Sequence, residues 1–177
     1  MYRIRAVDGA DDEIADTLAE LHLLTFLDAA SVPKFDQGHW WLALHKTESV
    51  AFAGLTLSTH VCNAGYFCRV GVLSRHWGNR LQLRLMRAME VRARLNGWCS
   101  IVSDTTDNLS SANNFIRAGY HLFEPKHPWA CRKLSIGGSS SSSGRACSCL
   151  LNRRIRPVAS WLPGFFLFWE YRGANAG

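Results

Sequence analysis

Residues 70–97, VGVLSRHWGNRLQLRLMRAMEVRARLNG, contain the residue types that a phosphate-binding turn needs. The apolar start predicts a short buried strand, and the periodic part predicts a long basic helix that packs through Leu81, Leu85 and Met89. Between them, Gly78 can adopt the positive φ angle of a tight turn. A turn that leads into a helix exposes the first backbone N–H groups of that helix, and these groups bind anions. The stretch therefore predicts a site for a phosphate.

Three side chains that could move a proton stand at the ends of two predicted strands. Tyr66 and Cys68 precede the apolar end of the strand before the basic helix, and Asp104 follows the strand predicted after the helix. Each is a candidate general base for a reaction in which the attacking group loses a proton. Structural alternatives stay open for two of them, because free cysteines are usually buried in a core and aspartates often cap turns.

An aromatic cluster opens another predicted strand. His39, Trp40 and Trp41 could line a pocket for an amine, since aromatic rings provide walls and cation–π faces. They could equally form an aromatic core, because Trp is highly buried on average. The seven histidines show no spacing of metal ligands, so we expect no metal.

A mixed sheet must position these side chains. The three strands before the basic helix are joined by tight turns, which predicts an antiparallel meander. The helix between two strands predicts one central parallel crossover. The predicted class is α/β, or α+β with a mixed sheet, in the order β-α-α-β-β-β-α-β-α-β-β. Its elements are strands at 2–7, 40–45, 50–60, 66–73, 98–103, 120–123 and 165–172, helices at 11–26, 80–96 and 110–118, and a loop or short helix near Pro33.

Length and composition indicate a globular chain with one main domain. The chain has 177 residues, of which 47% are hydrophobic and 19% are charged. No apolar run reaches the roughly 20 residues of a membrane helix, and the first residues lack a signal-peptide core. We therefore expect a cytoplasmic protein without membrane contacts, with Cys62, Cys68 and Cys99 as buried or half-buried thiols.

The net charge of +6 comes from one segment. Residues 131–169 contain six basic side chains and no acidic one, and the rest of the chain is balanced. The basicity is therefore not evidence that the whole molecule binds nucleic acid. We expect a domain at 1–130, a basic, Ser- and Gly-rich insertion or linker of poor order at 131–163, and a closing strand within 164–172.

Three pieces of the sequence resemble the GNAT acyltransferase superfamily, and the resemblance covers residues 2–129. RVGVLSRHWGNRLQLRLM resembles the family's loop that binds the acyl-CoA pyrophosphate. TTDNLSSANNFIRAGY resembles the family's asparagine loop and the helix after it. EPKHPWA is similar to a segment found in one bacterial branch of the family. The resemblance implies an enzyme with acetyl-CoA as the acyl donor. It implies that the acetyl group passes to a primary amine of a small molecule or a protein, and that this amine attacks the thioester directly. A homodimer is a further option.

The resemblance also implies which residues hold the donor. Val70, Val72 and Leu73 would pair with the pantetheine arm as an added strand. Asn108 would contact that arm, although it could instead cap a turn or a helix. The backbone amides of the turn would hold the pyrophosphate, and they belong to Trp77, Gly78, Asn79, Arg80, Leu81 and Gln82.

The sequence departs from the family pattern at four positions. Trp77, Arg80 and Gln82 stand where the family usually has Arg or Gln and then two small residues. A register counted from Arg75 matches two of these three positions, but it displaces the turn by two residues. Arg80 could add a cation to the pyrophosphate site or obstruct it. Phe115 lacks the hydroxyl of the tyrosine that often serves as the acid.

These departures leave two alternatives to an active N-acetyltransferase. The chain could be a catalytically degenerate CoA-binding or structural domain. It could also be an interaction or nucleic-acid module that uses the basic 131–169 segment, but that segment contains no nucleic-acid motif. We expect an amine acceptor as the partner and no nucleic acid.

Overall fold

The computed structural model describes residues 1–27, 30–59, 61–105, 108–122 and 149–154, and it shows one sheet with three helices. In chain order the elements are β1 (Tyr2–Val7), α1 (Asp12–Phe26), β2 (His39–His45), β3 (Glu48–Leu57), β4 (Ala64–Val72), α2 (Leu81–Leu95), β5 (Ser100–Thr105), α3 (Leu109–Arg117), β6 (His121–Leu122) and β7 (Cys149–Arg154).

The seven strands lie in the order β1-β2-β3-β4-β5-β7-β6. The first four form an antiparallel meander, and α2 connects β4 to β5 as a parallel crossover. β7 lies antiparallel to both β5 and β6. The predicted mixed sheet, with an antiparallel start and one central parallel pair, is confirmed.

β4 and β5 are paired over only part of their length. The parallel pairing joins three residues of β4, from Ala64 to Tyr66, to three of β5, from Ser100 to Val102. Among the described strands, only β3 pairs with β4 from there to Val72. A β-bulge follows the last shared pair, because Phe67 opposes Leu55 and Arg69 opposes Gly54, which leaves Cys68 as the extra residue. Bulges bend a strand and increase its twist, so the two strands diverge beyond Tyr66.

Two apolar clusters cover the two faces of the sheet. On one face, α2 and α3 bury Leu85, Met89 and Phe115 against the strands. On the other face, α1 buries Leu18 and Leu21. The helical periodicity of the sequence therefore predicted the packed faces of α1 and α2.

The start of α1 follows from its sequence. Asp11 is the N-cap, and its Oδ1 accepts a hydrogen bond from the backbone N–H of Ile14 at 3.1 Å. Asp12 and Glu13 occupy the first turn, where negative charge is favourable. None of the helices in the described ranges is both long and apolar enough to cross a membrane.

Two predicted elements need correction. Near Pro33, where a loop or a short second helix was predicted, the described residues 30–38 form the loop and not the helix of the predicted element order; Phe35 anchors it against Trp40, with 4.8 Å between ring centroids. The segment 131–163 was predicted to be irregular, but Cys149–Arg154 forms β7 within the sheet. The strand predicted at 165–172 and the rest of 131–163 lie outside the described residues.

The predicted burial of the cysteines is also corrected. Cys68 is half-buried as predicted, but Cys62 and Cys99 are exposed. Cys62 lies in the turn between β3 and β4, and Cys99 directly precedes β5. Both positions are outside the strands, so no helix covers them.

Candidate active site

The turn between β4 and α2 has two residues with left-handed backbone. A short 3-10 turn, Ser74–His76, leads to Gly78 at φ 80° and Arg80 at φ 55°. The side-chain Nδ2 of Asn79 donates to the backbone oxygens of His76 at 3.1 Å and Trp77 at 3.2 Å. The amide of Asn79 therefore holds the turn in shape at its centre.

The N-terminus of α2 carries no side-chain cap. Arg80 is the N-cap residue, its side chain makes no capping hydrogen bond, and the first turn contains no acidic residue. The first helical bond runs from the backbone N–H of Arg84 to the oxygen of Arg80 at 3.1 Å. The amides of Leu81 and Gln82 precede that bond and point outward from the positive end of the helix.

The backbone of Arg80 explains why a small residue suits this position. A left-handed conformation costs an ordinary residue about 1–2 kcal/mol, and glycine adopts it freely. We expect Arg80→Gly to raise the free energy of unfolding by about 0.5–1 kcal/mol after allowance for glycine's flexible unfolded state. Urea titration measures the change.

Arg87→Gly is the matched control for Arg80→Gly. Arg87 is an exposed residue in the interior of α2, where glycine costs about 1 kcal/mol relative to a good helix former. The two substitutions should therefore shift stability in opposite directions. A loss of stability in both variants would contradict the left-handed conformation at Arg80.

Polar side chains connect α2 to α3 beside this turn. Gln82 donates from Nε2 to Ser111 Oγ at 3.1 Å and accepts from Asn114 Nδ2 at 2.8 Å. Asn108 Oδ1 accepts from the backbone N–H of Ser111 at 2.9 Å, so it caps α3. The side chains of Gln82 and Asn108 thus contribute to structure, whichever ligand the turn binds.

Two aromatic residues show how the departures from the family pattern are accommodated. Trp77 is exposed, and its Nε1 donates to the backbone oxygen of Val72 at 2.8 Å, at the end of β4. Phe115 is buried between Phe67 and Tyr120, with ring centroids 5.1 and 5.0 Å away.

A groove of about 270 Å³ runs beside Trp77, between the end of α1 and the end of β4.

Tyr66 and Asp104 meet where the β4–β5 pairing ends. The Tyr66 hydroxyl donates to Asp104 Oδ1 at 2.5 Å. Burial, and then the hydrogen bond to the Asp104 carboxylate, raise the pKa of Tyr66 above its ordinary value. The phenol therefore stays protonated and directs the carboxylate. Neighbouring residues of a strand face opposite ways, so Tyr66 lies on the face opposite Phe67, which is the face of α1.

Cys68 lies on the same face, against the core of α1. Burial raises the pKa of the Cys68 thiol to about 11. The thiol therefore remains protonated at neutral pH and is a poor base. Of the three residues predicted as base candidates, Asp104 is the one whose side chain can accept a proton at the end of the β4–β5 pairing.

The aromatic residues that were predicted to line an amine pocket lie at the start of β2. Trp40 is buried in the α1 core and Trp41 in the α2 core, on opposite faces of β2. Together with His39 they border a cleft of about 280 Å³ that is also lined by the end of β1 and by Arg92. β3 lies between β2 and β4 in the sheet, so this cleft and Tyr66 belong to strands that are not neighbours. The role of the trio as an acceptor pocket stays a prediction.

Arg69 is a polar residue of this region that the sequence analysis did not single out. Its guanidinium lies over the ring of Phe26 in α1, 5.6 Å from the centroid. Its Nη1 donates to the backbone oxygen of Cys68 at 3.0 Å and its Nη2 to that of Ser31 at 3.4 Å. A single arginine within the apolar strand FCRVGV was the available signal.

Comparison with known proteins places the chain in a defined group. The sequence model of the Acetyltransferase (GNAT) family matches residues 10–120. No curated protein sequence matches the chain significantly. Among the described side chains, no group of His, Cys, Asp and Glu could hold a metal ion.

Solved structures share the fold at low identity. A Klebsiella pneumoniae protein described as an acyl-CoA N-acyltransferase is 21% identical to this chain. Its TM-score is 0.62, and the match covers 88% of this chain and 99% of that one. The ribosomal-protein-S18-alanine N-acetyltransferase of Escherichia coli is 9% identical, with a TM-score of 0.64 over 94% and 100%. A GNAT family acetyltransferase from Elizabethkingia anophelis, solved with acetyl-CoA bound, is 12% identical, with a TM-score of 0.60 over 86% and 97%.

Proposed function

We propose, on the premise that the chain belongs to the GNAT acetyltransferase family, that it transfers an acetyl group to a primary amine of a small molecule or a protein by direct attack. Family membership makes the chain an acyl-CoA-dependent N-acetyltransferase with acetyl-CoA as the acyl donor. One observation supports the choice of these residues for the active site. β4 diverges from β5 beside the N-terminus of α2, which has no side-chain cap.

The residues around the turn fit the donor. The backbone N–H groups of residues 77–82 would hold the pyrophosphate, because the uncapped N-terminus of α2 supplies donors and positive potential. Val70, Val72 and Leu73 would pair with the pantetheine arm, since β4 has no described partner on its β5 side beyond Tyr66. The indole of Trp77 must release the Val72 oxygen if the arm is to use it.

Arg80 and Asn108 have narrower proposed roles. The Arg80 side chain can reach the pyrophosphate from the N-cap and add a cation there. Asn108 would approach the pantetheine arm through its backbone or its Nδ2, because its Oδ1 already caps α3.

Asp104 is the proposed general base. Bound acetyl-CoA supplies an activated acyl group, and the amine that attacks it must lose a proton. The Asp104 carboxylate can attract the acceptor amine and take that proton, while the Tyr66 hydroxyl holds the carboxylate in position. A thiol is a stronger acid than an alcohol or an ammonium group, so the departing group can leave as a thiolate without an acid at Phe115. Proximity of the two substrates supplies a further large part of the rate.

The alternative is a degenerate member that binds acetyl-CoA without turnover. The observations that favour it are the side chain at Arg80 and the apolar burial of Phe115. The two functions differ in one measurement, which is the release of thiol in the presence of an amine.

The test combines binding with turnover. Acetyl-CoA at 100 times its Kd should raise the free energy of unfolding by about 2.7 kcal/mol, measured by thermal shift. Thiol release across a panel of primary amines then measures turnover. Absence of any shift at millimolar acetyl-CoA would overturn both functions, and a shift without thiol release would favour the degenerate alternative.

The compartment and assembly remain predictions. The exposed thiols of Cys62 and Cys99 favour the reducing cytoplasm. A homodimer is an option that gel filtration with light scattering would test.

A further inference from the structure

Arg69 carries a charge that nothing in the described part of the chain neutralises. The residue is half-buried, its Nε is buried without a hydrogen-bond partner, and its side chain forms no ion pair there. Its other bonds go to two backbone oxygens, one of them at the long distance of 3.4 Å. Removing a guanidinium from water without a partner is costly, so buried arginines are normally paired.

The described groups around Arg69 do not form an ion pair with it. His22 stacks on the same Phe26 ring, at 4.8 Å, and burial together with the Arg69 charge lowers its pKa, so it is neutral. The Cys68 thiol is protonated because its pKa is raised by burial. Within the described residues, the Asp104 carboxylate accepts from the Tyr66 hydroxyl and forms no ion pair with Arg69.

Arg69 also lies close to Tyr66, whose hydroxyl holds the proposed base Asp104. It is three residues beyond Tyr66 on a bulged strand, on the face of the sheet that α1 covers. At about 3.3 Å per residue, the Cα atoms of Tyr66 and Arg69 are less than roughly 10 Å apart. One small molecule can therefore reach the Asp104 carboxylate and the Arg69 guanidinium together.

We propose that Arg69 selects an acceptor that carries a carboxylate close to its amine, so that the substrate is a small amino acid or a similar amino-carboxylic acid. The inference rests on the proposed function of this site. The guanidinium binds the carboxylate through Nη1 and Nη2, each of which has a second N–H besides the one that donates to a backbone oxygen. The amine is then held toward Asp104.

The first experiment uses the wild-type full chain and matched pairs of acceptors. Each free amino acid is compared with its amide, which keeps the amine and removes the negative charge. With saturating acetyl-CoA, thiol release should give a kcat/KM at least about 10-fold higher for the acid, the lower end of what a charged hydrogen bond contributes. Peptides with an amidated end and a glutamate side chain distinguish a protein carboxylate from a free amino acid.

The second experiment changes Arg69 itself. Arg69→Met should lower kcat/KM for the acid by about 10- to 100-fold, change the value for the amide less than about twofold, and leave the Kd of acetyl-CoA unchanged. Arg69→Lys keeps the charge but loses the fork, so it should retain part of the preference. Arg87→Met is the control, because Arg87 is exposed on α2, away from the site.

The outcomes separate the inference from the proposed function. Equal kcat/KM for acids and amides, a preference that survives Arg69→Met, or a preference confined to peptide carboxylates would each overturn the inference while acetylation stands. If no amine is acetylated, thermal shift of the acetyl-CoA complex still tests it, since free amino acids should stabilise the complex and their amides should not. Absence of acetyl-CoA binding would overturn the function itself.

Discussion

Replacement of Asp104 by Asn should lower kcat by about 100- to 10,000-fold, the usual contribution of a positioned general base. The asparagine Oδ1 can still accept the hydrogen bond from the Tyr66 hydroxyl, so the local structure is retained. The amide cannot take a proton from the attacking amine. Steady-state thiol release measures kcat, and calorimetric titration should show an acetyl-CoA Kd within about twofold of wild type, because Asp104 is not proposed to contact the donor.

Tyr66→Phe is the companion to Asp104→Asn. It removes the hydroxyl that directs the carboxylate and leaves the aromatic ring in place. We expect a smaller loss, about 10-fold in kcat, because the base is retained but less well oriented. A loss in Tyr66→Phe as large as that in Asp104→Asn, or an unchanged kcat in Asp104→Asn, would contradict the proposed role of Asp104.

Gly78→Pro should remove most of the stabilisation that acetyl-CoA gives. Gly78 has φ 80°, whereas proline fixes φ near −65° and lacks the N–H, so the turn must change shape. The amides of residues 79–82 would then no longer converge on one anion. A loss of at least tenfold in affinity corresponds to about 1.4 kcal/mol, which thermal shift over a range of acetyl-CoA concentrations resolves.

Gly97→Ala controls for the strain of a substituted left-handed glycine. Gly97 has φ 70°, lies at the opposite end of α2, and like Gly78 has open space around an added Cβ. Gly97→Ala should lower the free energy of unfolding of the apo protein and leave the stabilisation by acetyl-CoA unchanged. An unchanged acetyl-CoA Kd in Gly78→Pro, with the fold intact by circular dichroism, would exclude this turn as the donor site.

The sequence predicted the sheet and the turn because both have local signals. The alternation of β1, the periodicity of α2 and the glycine between β4 and α2 are each determined by a few neighbouring residues. The family match and the mixed sheet confirm that part of the prediction. The left-handed backbone of Arg80 was not predictable, because arginine rarely adopts a positive φ angle and glycine is the residue that favours it.

The acceptor side of the site was only partly predictable. Tyr66 and Asp104 were candidates from their positions at the ends of strands, but their contact depends on where the β4–β5 pairing stops. The importance of Arg69 depends on the absence of an ion-pair partner among the described residues, and only the packed structure shows that absence. β7 was missed because its apolar run is only three residues long and is followed by Asn152, Arg153 and Arg154 within a basic segment.

The position of β7 has a consequence for synthesis on the ribosome. β7 lies between β5 and β6 in the sheet, and it begins 44 residues after the end of β5. At about 5–20 residues per second, the free edges of β5 and β6 wait several seconds for their partner. Unpaired edges are sites of aggregation, so nascent chains that stop before β7 should depend on chaperones. Completion of the sheet is therefore timed by the arrival of Cys149–Arg154.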